Sequence, residues 1–268
     1  MTGEIAAVGK IAANEFKRHL GHPVTIAVFC LLVALAVANG LGSIRALPSF
    51  ESWLEGDVFI KVGLSQEFFN ISQYCSTAAL ILGVLTIAED RRRTTGILLT
   101  KPVRKRDVVA GKFLGLNAFL LLLITVTYLL VSLLIALAFR GPLSTGELAL
   151  RLAALILTLA LECGFLAGVG MLIGIVFGSL KEAIIVGVTY LCIEWFSNGM
   201  FMNVLKVFSP YYVYFKIVNN DDTVTLFNTV YPFVSWLNPV IPYVALMAAG
   251  VIVVLAINCV VVTMSEDY

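Results

Sequence analysis

Six apolar runs, each separated from the next by a more polar stretch, dominate this sequence. An α-helix needs about 20 apolar residues to cross the hydrocarbon core of a bilayer, where every backbone polar group must be satisfied internally. The runs therefore predict an all-α polytopic membrane protein. The six predicted spans cover about residues 24–41, 71–88, 113–139, 147–177, 183–198 and 239–263.

The overall composition supports this class. Of the 268 residues, 60% are hydrophobic and 13% are charged, whereas about a quarter of the residues in a soluble domain carry a charge. A chain this apolar has too few polar groups to cover a water-exposed surface, so lipid must cover much of it.

The five cysteines lie inside apolar runs without metal-binding spacing, and we expect them to be buried thiols.

The amino end, residues 4–20, differs from the spans because its apolar residues favour one face. Basic and amide side chains occupy the opposite face, and this pattern predicts an amphipathic helix in the membrane interface. His19 and His22 end this segment, and we expect them to lie at the interface rather than to bind a metal. The residues of the apolar face are Ile5, Val8, Ala12, Phe16 and Leu20.

Residues 200–238 are rich in aromatic and apolar side chains but are interrupted by Pro210, Pro232 and the polar run 219–222. These interruptions disfavour a clean span. They predict an extracytoplasmic loop with short interfacial or re-entrant helices.

The fourth apolar run is longer than a span needs. Its roughly thirty residues exceed the thickness of a bilayer core, so this helix must tilt, bend or project.

Residues 89–112 form the one long polar interruption and hold eight of the eighteen Lys and Arg residues. Cytoplasmic loops of membrane proteins carry an excess of these residues. With the amino end inside, twelve basic residues fall on the inner side and six on the outer side. The charge distribution therefore predicts a protein of the cell membrane with both termini and the basic loop in the cytoplasm.

Motifs for catalysis are absent from the sequence. It contains no G-x-x-x-x-G-K-[ST] phosphate loop, no HExxH and no GxSxG. We therefore expect a non-catalytic chain that binds no cofactor and no metal. Transport against a gradient must then draw its energy from a partner subunit or from an ion gradient.

Apolar residues inside the basic loop distinguish it from a simple charged connection. Ile97, Leu98 and Leu99 stand between Gly96 and Pro102, which predicts a short helix with a turn on each side. A loop that only touches lipid head groups does not need such a patch, whereas a helix that docks into a groove of another protein does. Composition alone leaves both interpretations open.

The order of these features resembles the permeases of type-2 ABC exporters. Those proteins share an amphipathic amino-terminal helix, called the elbow helix, six spans, and a loop with Gly, Leu, Pro-Val and Gly-Lys in this order. The resemblance implies that residues 89–112 contain a coupling helix, which docks on a separate ATP-binding subunit. The residues matched to that contact are Glu89, Thr95, Gly96, Ile97, Leu98, Leu99, Pro102, Val103, Arg104, Lys105 and Arg106.

The same resemblance implies an ABC ATPase partner that binds ATP and Mg²⁺, and assembly of this chain as a homodimer or heterodimer in the lipid bilayer. It further implies export of a substrate that the sequence does not identify, and no nucleic-acid partner. The family often has Ser or Thr followed by Arg after the Pro-Val dipeptide, whereas this chain has Arg104 and Lys105.

Two glutamates, Glu162 and Glu194, lie inside predicted spans. An ionisable residue in the bilayer costs at least about 2.5–3.5 kcal/mol, so each should face protein or water. One interpretation is a translocation path, to which Asn198, one turn beyond Glu194, also belongs. The other is a pair of hydrogen-bonded carboxyls that fix helix packing. A translocation path supports an alternative function, a gradient-driven transporter or channel; a structural or anchoring component is a third.

The fourth span also carries glycines at four-residue spacing. Small residues at this spacing let helix backbones approach closely in lipid. The pattern favours packing against other spans of the same chain, with packing at a dimer interface as the alternative. The glycines are Gly164, Gly168, Gly170, Gly174 and Gly178.

Overall fold

The computed structural model describes residues 2–50, 65–93, 104–138, 144–177, 179–196, 210–218 and 232–264. Within these ranges the chain is almost entirely helical and has no strand, which confirms the predicted all-α class. The eight helices found there are α1 (Thr2–Gly21), α2 (Pro23–Phe50), α3 (Ser65–Arg93), α4 (Lys105–Ala138), α5 (Thr145–Val176), α6 (Leu180–Phe196), α7 (Pro210–Val218) and α8 (Phe233–Met264).

Four of the described helices are long and apolar enough to cross a membrane. A shorter apolar segment, Ser72–Ala88, lies within α3, and α6 has 17 residues. These helices make the chain a multi-pass protein, while the count of six spans stays a prediction. The four membrane-capable segments are Pro23–Gly42, Lys105–Leu134, Thr145–Val176 and Phe233–Met264.

The connection between α3 and α4 is shorter than the predicted loop 89–112. Helix α3 continues to Arg93, and α4 already begins at Lys105. Similarly, α2 extends to Phe50, far beyond the apolar run that ends near residue 41. The change from apolar to charged side chains marks where lipid ends. The backbone hydrogen-bond ladder does not stop at this change, since Arg and Lys are good helix formers.

A short helix, α7, lies inside the predicted loop 200–238. Its buried residues include Tyr214 and Ile217, and α7 packs against α5 and α8. Helix α8 begins earlier than predicted, at Phe233, and contains Pro239 and Pro242. Each proline removes one backbone donor from the ladder, but membrane helices tolerate this where neighbouring groups compensate.

Helices α3 and α5, which share the most extensive contact among the described helices, meet through glycines on both sides. A methyl group added at Gly170 would overlap the carbonyl oxygen of Leu80, and one at Gly83 would overlap the carbonyl oxygen of Ala167. Gly174 also faces α3, because its added methyl would lie 3.0 Å from the carbonyl oxygen of Val84. These contacts show that this part of the glycine pattern serves packing within the chain.

Other glycines of the fourth span face different neighbours. An added methyl at Gly164 would lie 2.7 Å from Oδ1 of Asn117 in α4, and one at Gly168 would lie 2.5 Å from Cγ1 of Val254 in α8. Gly178 lies outside the described residues. Helix α5 is therefore the central helix of the bundle, with α3, α4 and α8 all against it.

The expectation that all five cysteines are buried is wrong for two of them. Cys75 and Cys163 are buried in the core between α3 and α5, but Cys30 and Cys192 are exposed on the surface of the chain, and Cys259 is intermediate. The physical reason is that lipid surrounds the bundle, so an apolar run in a membrane helix has a side that faces lipid as well as a side that faces the core.

Candidate functional site

The predicted partner-binding loop lies largely outside the described residues. Glu89 belongs to α3, although its side chain is not described, and Arg104 is exposed just before α4. Lys105 and Arg106 form the first turn of α4. The structure thus describes the two helix ends that hold the loop. The predicted residues between them that lie outside the description are Thr95, Gly96, Ile97, Leu98, Leu99, Pro102 and Val103.

The carboxyl end of the loop is held by a regular helix start. The carbonyl oxygen of Arg104 accepts hydrogen bonds from the backbone N–H groups of Asp107, at 2.9 Å, and Val108, at 3.3 Å. Asp107 stands in the first turn of α4, where a negative charge is favourable to the helix dipole. Its Oδ1 also lies 3.5 Å from Nε of Arg106. The loop therefore ends at a defined position.

Four helices meet close to the two helix ends that hold the loop. Their buried apolar side chains form a separate small core, here named the loop-end cluster. One residue comes from the end of α3, two from the start of α4, two from the end of α5 and one from the end of α8. The cluster therefore links the ends of four helices beside the loop. The residues of the loop-end cluster are Ile87, Val109, Phe113, Met171, Ile175 and Val262.

Helix α1 packs lengthwise along the first turns of α4. Two glycines make this approach possible: an added methyl at Gly111 would lie 2.7 Å from Cβ of Ile11, and one at Gly115 would lie 2.7 Å from Cβ of Glu15. Successive contacts between α1 and α4 occur at increasing residue numbers in both helices, so the two helices run parallel. The amino-terminal helix is therefore attached to the same helix that carries the basic loop.

A buried polar network, here named the α1 polar cluster, ties α1 to α3 and α4. It consists of Glu15, His19, Thr86 and Lys112, each at most 5% exposed. His19 Nε2 lies 3.4 Å from Oε1 of Glu15 and 3.3 Å from Oγ1 of Thr86. Lys112 donates from Nζ to the carbonyl oxygen of Thr86 at 3.0 Å. Glu15 additionally pairs with Arg18 at 2.6 Å.

The α1 polar cluster was not found by the sequence analysis. His19 was expected at the interface, and Lys112 was counted as a charge of the basic loop, yet both side chains are buried. The available signals were the four-residue spacing of Glu15 and His19, which places them on one helix face, and the Gly111–Lys112 pair. No local rule says that these features meet, because Thr86 is 67 residues from His19 in sequence.

The start of α4, at Lys105, lies far along this helix from the junction of α1 and α2. His19 stacks on Phe119, with ring centroids 5.7 Å apart, so this junction lies beside the middle of α4. Phe119 follows Lys105 by fourteen residues, which corresponds to about 21 Å of helix. The apolar segment of α2 begins at Pro23, at the junction itself. The apolar segment of α4 already begins at Lys105, so the membrane-capable parts of α2 and α4 are offset along the bundle.

Glu162 occupies a different place, deep in the bundle. It is 2% exposed and accepts a 3.0 Å hydrogen bond from Oγ of Ser76 in α3. Cys163 and Tyr214 lie within electrostatic range of its carboxylate. Ser76 precedes Arg93 by seventeen residues, or about 26 Å along α3, so Glu162 is remote from the loop.

The other two predicted residues of the translocation path are not described in this way. Glu194 lies in α6 without a described side chain, and Asn198 lies outside the described residues.

Changing Glu162 to glutamine should leave the folded state nearly as stable as wild type. The amide carbonyl accepts the same bond from Ser76, and the volume is conserved. Glu162→Leu should destabilise by about 1–3 kcal/mol, because it leaves the Ser76 hydroxyl without this acceptor. Thermal unfolding in detergent measures both variants. Equal loss of stability in the two would contradict this account. A folded Glu162→Gln that fails to transport would assign the carboxylate to a translocation path.

Comparison with known families gives a match over most of the chain. A family model described as ABC-2 family transporter protein matches residues 10–253. This range includes most of α1, the basic loop, the glycines of α5 and most of α8. A comparison with curated proteins found no matching sequence.

Proposed function

The chain belongs to the ABC-2 transporter family, and we propose that it is the membrane-spanning permease of an ATP-driven exporter. Two permease chains, identical or different, and two ABC ATPase subunits form the working unit. ATP and Mg²⁺ bind to the ATPase subunits and not to this chain. The substrate crosses at the interface of the two permeases. Both termini and the basic loop lie in the cytoplasm, and the protein resides in the cell membrane.

The observation that carries this proposal is the attachment of the basic loop. Its two helix ends are anchored in the loop-end cluster, where α3, α4, α5 and α8 meet. The start of α4, which holds the carboxyl end of the loop, lies about 20 Å along the helix from the junction of α1 and α2. A partner that binds this loop moves four helices at once. This is what a permease without a nucleotide site of its own requires.

Helix α1 also takes part in passing the motion of the ATPase subunits to the spans. It is attached to α4 by glycine contacts and to α3 by the α1 polar cluster. The buried hydrogen bond from Lys112 to Thr86 holds a defined geometry, because separating the two helices leaves a buried charge unsatisfied. We propose that α1 moves with the loop as one rigid unit when the ATPase subunits close.

Reconstitution tests the proposed function. The purified chain is incorporated into lipid vesicles with and without its cognate ATPase subunit, and substrate movement and ATP turnover are measured. We expect transport only when both subunits and ATP are present, and ATP turnover that depends on the permease. Substrate movement by the chain alone, driven by an ion gradient without ATP, would contradict the proposal. It would favour the gradient-driven alternative, for which the buried Glu162 is the specific observation.

A further inference from the structure

A cavity of about 270 Å³ lies where α1 ends and α2 begins, against the middle of α4. Its walls are almost entirely apolar, and its rim is open to the surroundings of the bundle. A buried apolar cavity of about 150 Å³ is already large enough to bind benzene. This one therefore has room for a segment of hydrocarbon chain. Residues that line it include His19, Thr25, Phe29, Phe119, Leu123 and Val126.

One polar group in this wall lacks a hydrogen-bond partner. The Thr25 side chain is 1% exposed, and its Oγ1 is buried without a partner. Threonines elsewhere in the bundle bond to a carbonyl of the preceding helical turn, as Thr86 does to Leu82 at 2.7 Å. Thr25 is the third residue of α2 and has no complete preceding turn in its own helix. An unmade buried hydrogen bond is costly, so a ligand oxygen at this position would be stabilising.

The surroundings of the cavity indicate which ligand class is available. Leu20, Ile26 and Leu122 line it and are 41–47% exposed, so its rim is an apolar surface that faces lipid. Exposed Lys17 lies three residues, or about one helical turn, before Leu20 in α1. The cavity also lies at the boundary between the polar helix α1 and the apolar segment that begins at Pro23. Glycerolipids place their ester and phosphate groups at such a boundary.

We propose that this cavity is a binding site for an anionic glycerophospholipid. An acyl chain fills the apolar cavity along Phe29, Leu123 and Val126. An ester oxygen accepts the hydrogen bond that the Thr25 hydroxyl otherwise lacks. The phosphate lies on the basic side of α1 near Lys17. Since His19 belongs to both the cavity wall and the α1 polar cluster, the bound lipid also supports the packing of α1 against α3 and α4.

Native mass spectrometry of the purified full chain tests the site. The chain is incubated with equal amounts of phosphatidylglycerol or phosphatidylcholine, and retained lipid is counted after removal of excess. We expect wild type to retain phosphatidylglycerol in preference to phosphatidylcholine. Val126→Trp fills the cavity and should lose that retained lipid. The matched control Leu133→Trp places the same side chain two turns along α4 at a residue that is 59% exposed, and should retain it.

A second variant keeps the test independent of folding defects. Thr25→Val preserves shape and removes the hydroxyl, and should reduce retention of phosphatidylglycerol roughly two- to tenfold, the effect of one hydrogen bond. Three results would overturn the proposal: equal retention of the two lipids by wild type, unchanged retention by a folded Val126→Trp, or unchanged retention by Thr25→Val.

Discussion

Replacing Leu98 with aspartate should weaken binding of the ATPase subunit about 100-fold, while the permease itself stays folded. The residue lies in the apolar patch of the basic loop, which we propose to dock into a groove of the partner. A carboxylate without a counter-charge in such a contact costs several kcal/mol. About 3 kcal/mol corresponds to roughly two orders of magnitude in affinity. ATP turnover that depends on the permease should fall accordingly.

The measurement is co-elution of the two purified subunits together with ATP turnover at several ATPase concentrations. Thr100→Asp is the matched control, because it adds the same charge beside the patch at a residue that is already polar. We expect this control to assemble like wild type. If Leu98→Asp assembles and supports turnover as wild type does, the loop is a topogenic charge block that contacts lipid, and the proposed coupling role is wrong.

Adding one methyl group at Gly170 should lower the free energy of unfolding by about 1–3 kcal/mol, the range for overpacked sites. The new Cβ would overlap the carbonyl oxygen of Leu80 and lie 3.1 Å from the backbone nitrogen of Val84. These neighbours are backbone atoms and cannot rotate away. Helices α3 and α5 must therefore separate, which loosens the main core around buried residues such as Leu159.

Gly146→Ala is the control for this change, since it lies in the same helix with nothing within 4 Å of the added methyl. Alanine is favoured over glycine in a helix interior by about 1 kcal/mol, so Gly170→Ala would stabilise the protein if its methyl group met open space. Only Gly170→Ala introduces an overlap with a neighbouring backbone atom. Thermal unfolding of the two variants in the same detergent provides the comparison. A Gly170→Ala protein as stable as Gly146→Ala would mean that α3 and α5 do not pack as closely as described.

The ends of helices were harder to predict from the sequence than their existence. Hydropathy located the apolar part of each long helix, because that part reports contact with lipid. It did not locate the end of α3 at Arg93 or the start of α4 at Lys105. Those boundaries depend on the backbone ladder, which charged residues continue as readily as apolar ones. The basic loop is consequently shorter than the polar run that contains it.

The candidate site, too, could be predicted from the sequence only in part. Spacing alone predicted that glycines of α5 make close helix contacts, but it could not assign a partner to each one. The structure places Gly170 and Gly174 against α3, and Gly168 against α8. The loop-end cluster and the α1 polar cluster had no sequence signature, since their members come from helices far apart in the chain.

The sequence by itself determined that the chain is helical, crosses a membrane several times and carries one basic loop with an apolar patch. Each of these properties depends on local composition: lipid requires apolar helices, and charges accumulate where helices leave it. Only the tertiary structure decided which helices meet at the two ends of the loop and that α1 is attached to α3 and α4. It also showed that Thr25 borders a cavity. These features depend on which faces of distant helices meet, and close approach is possible only where small residues and satisfied polar groups coincide.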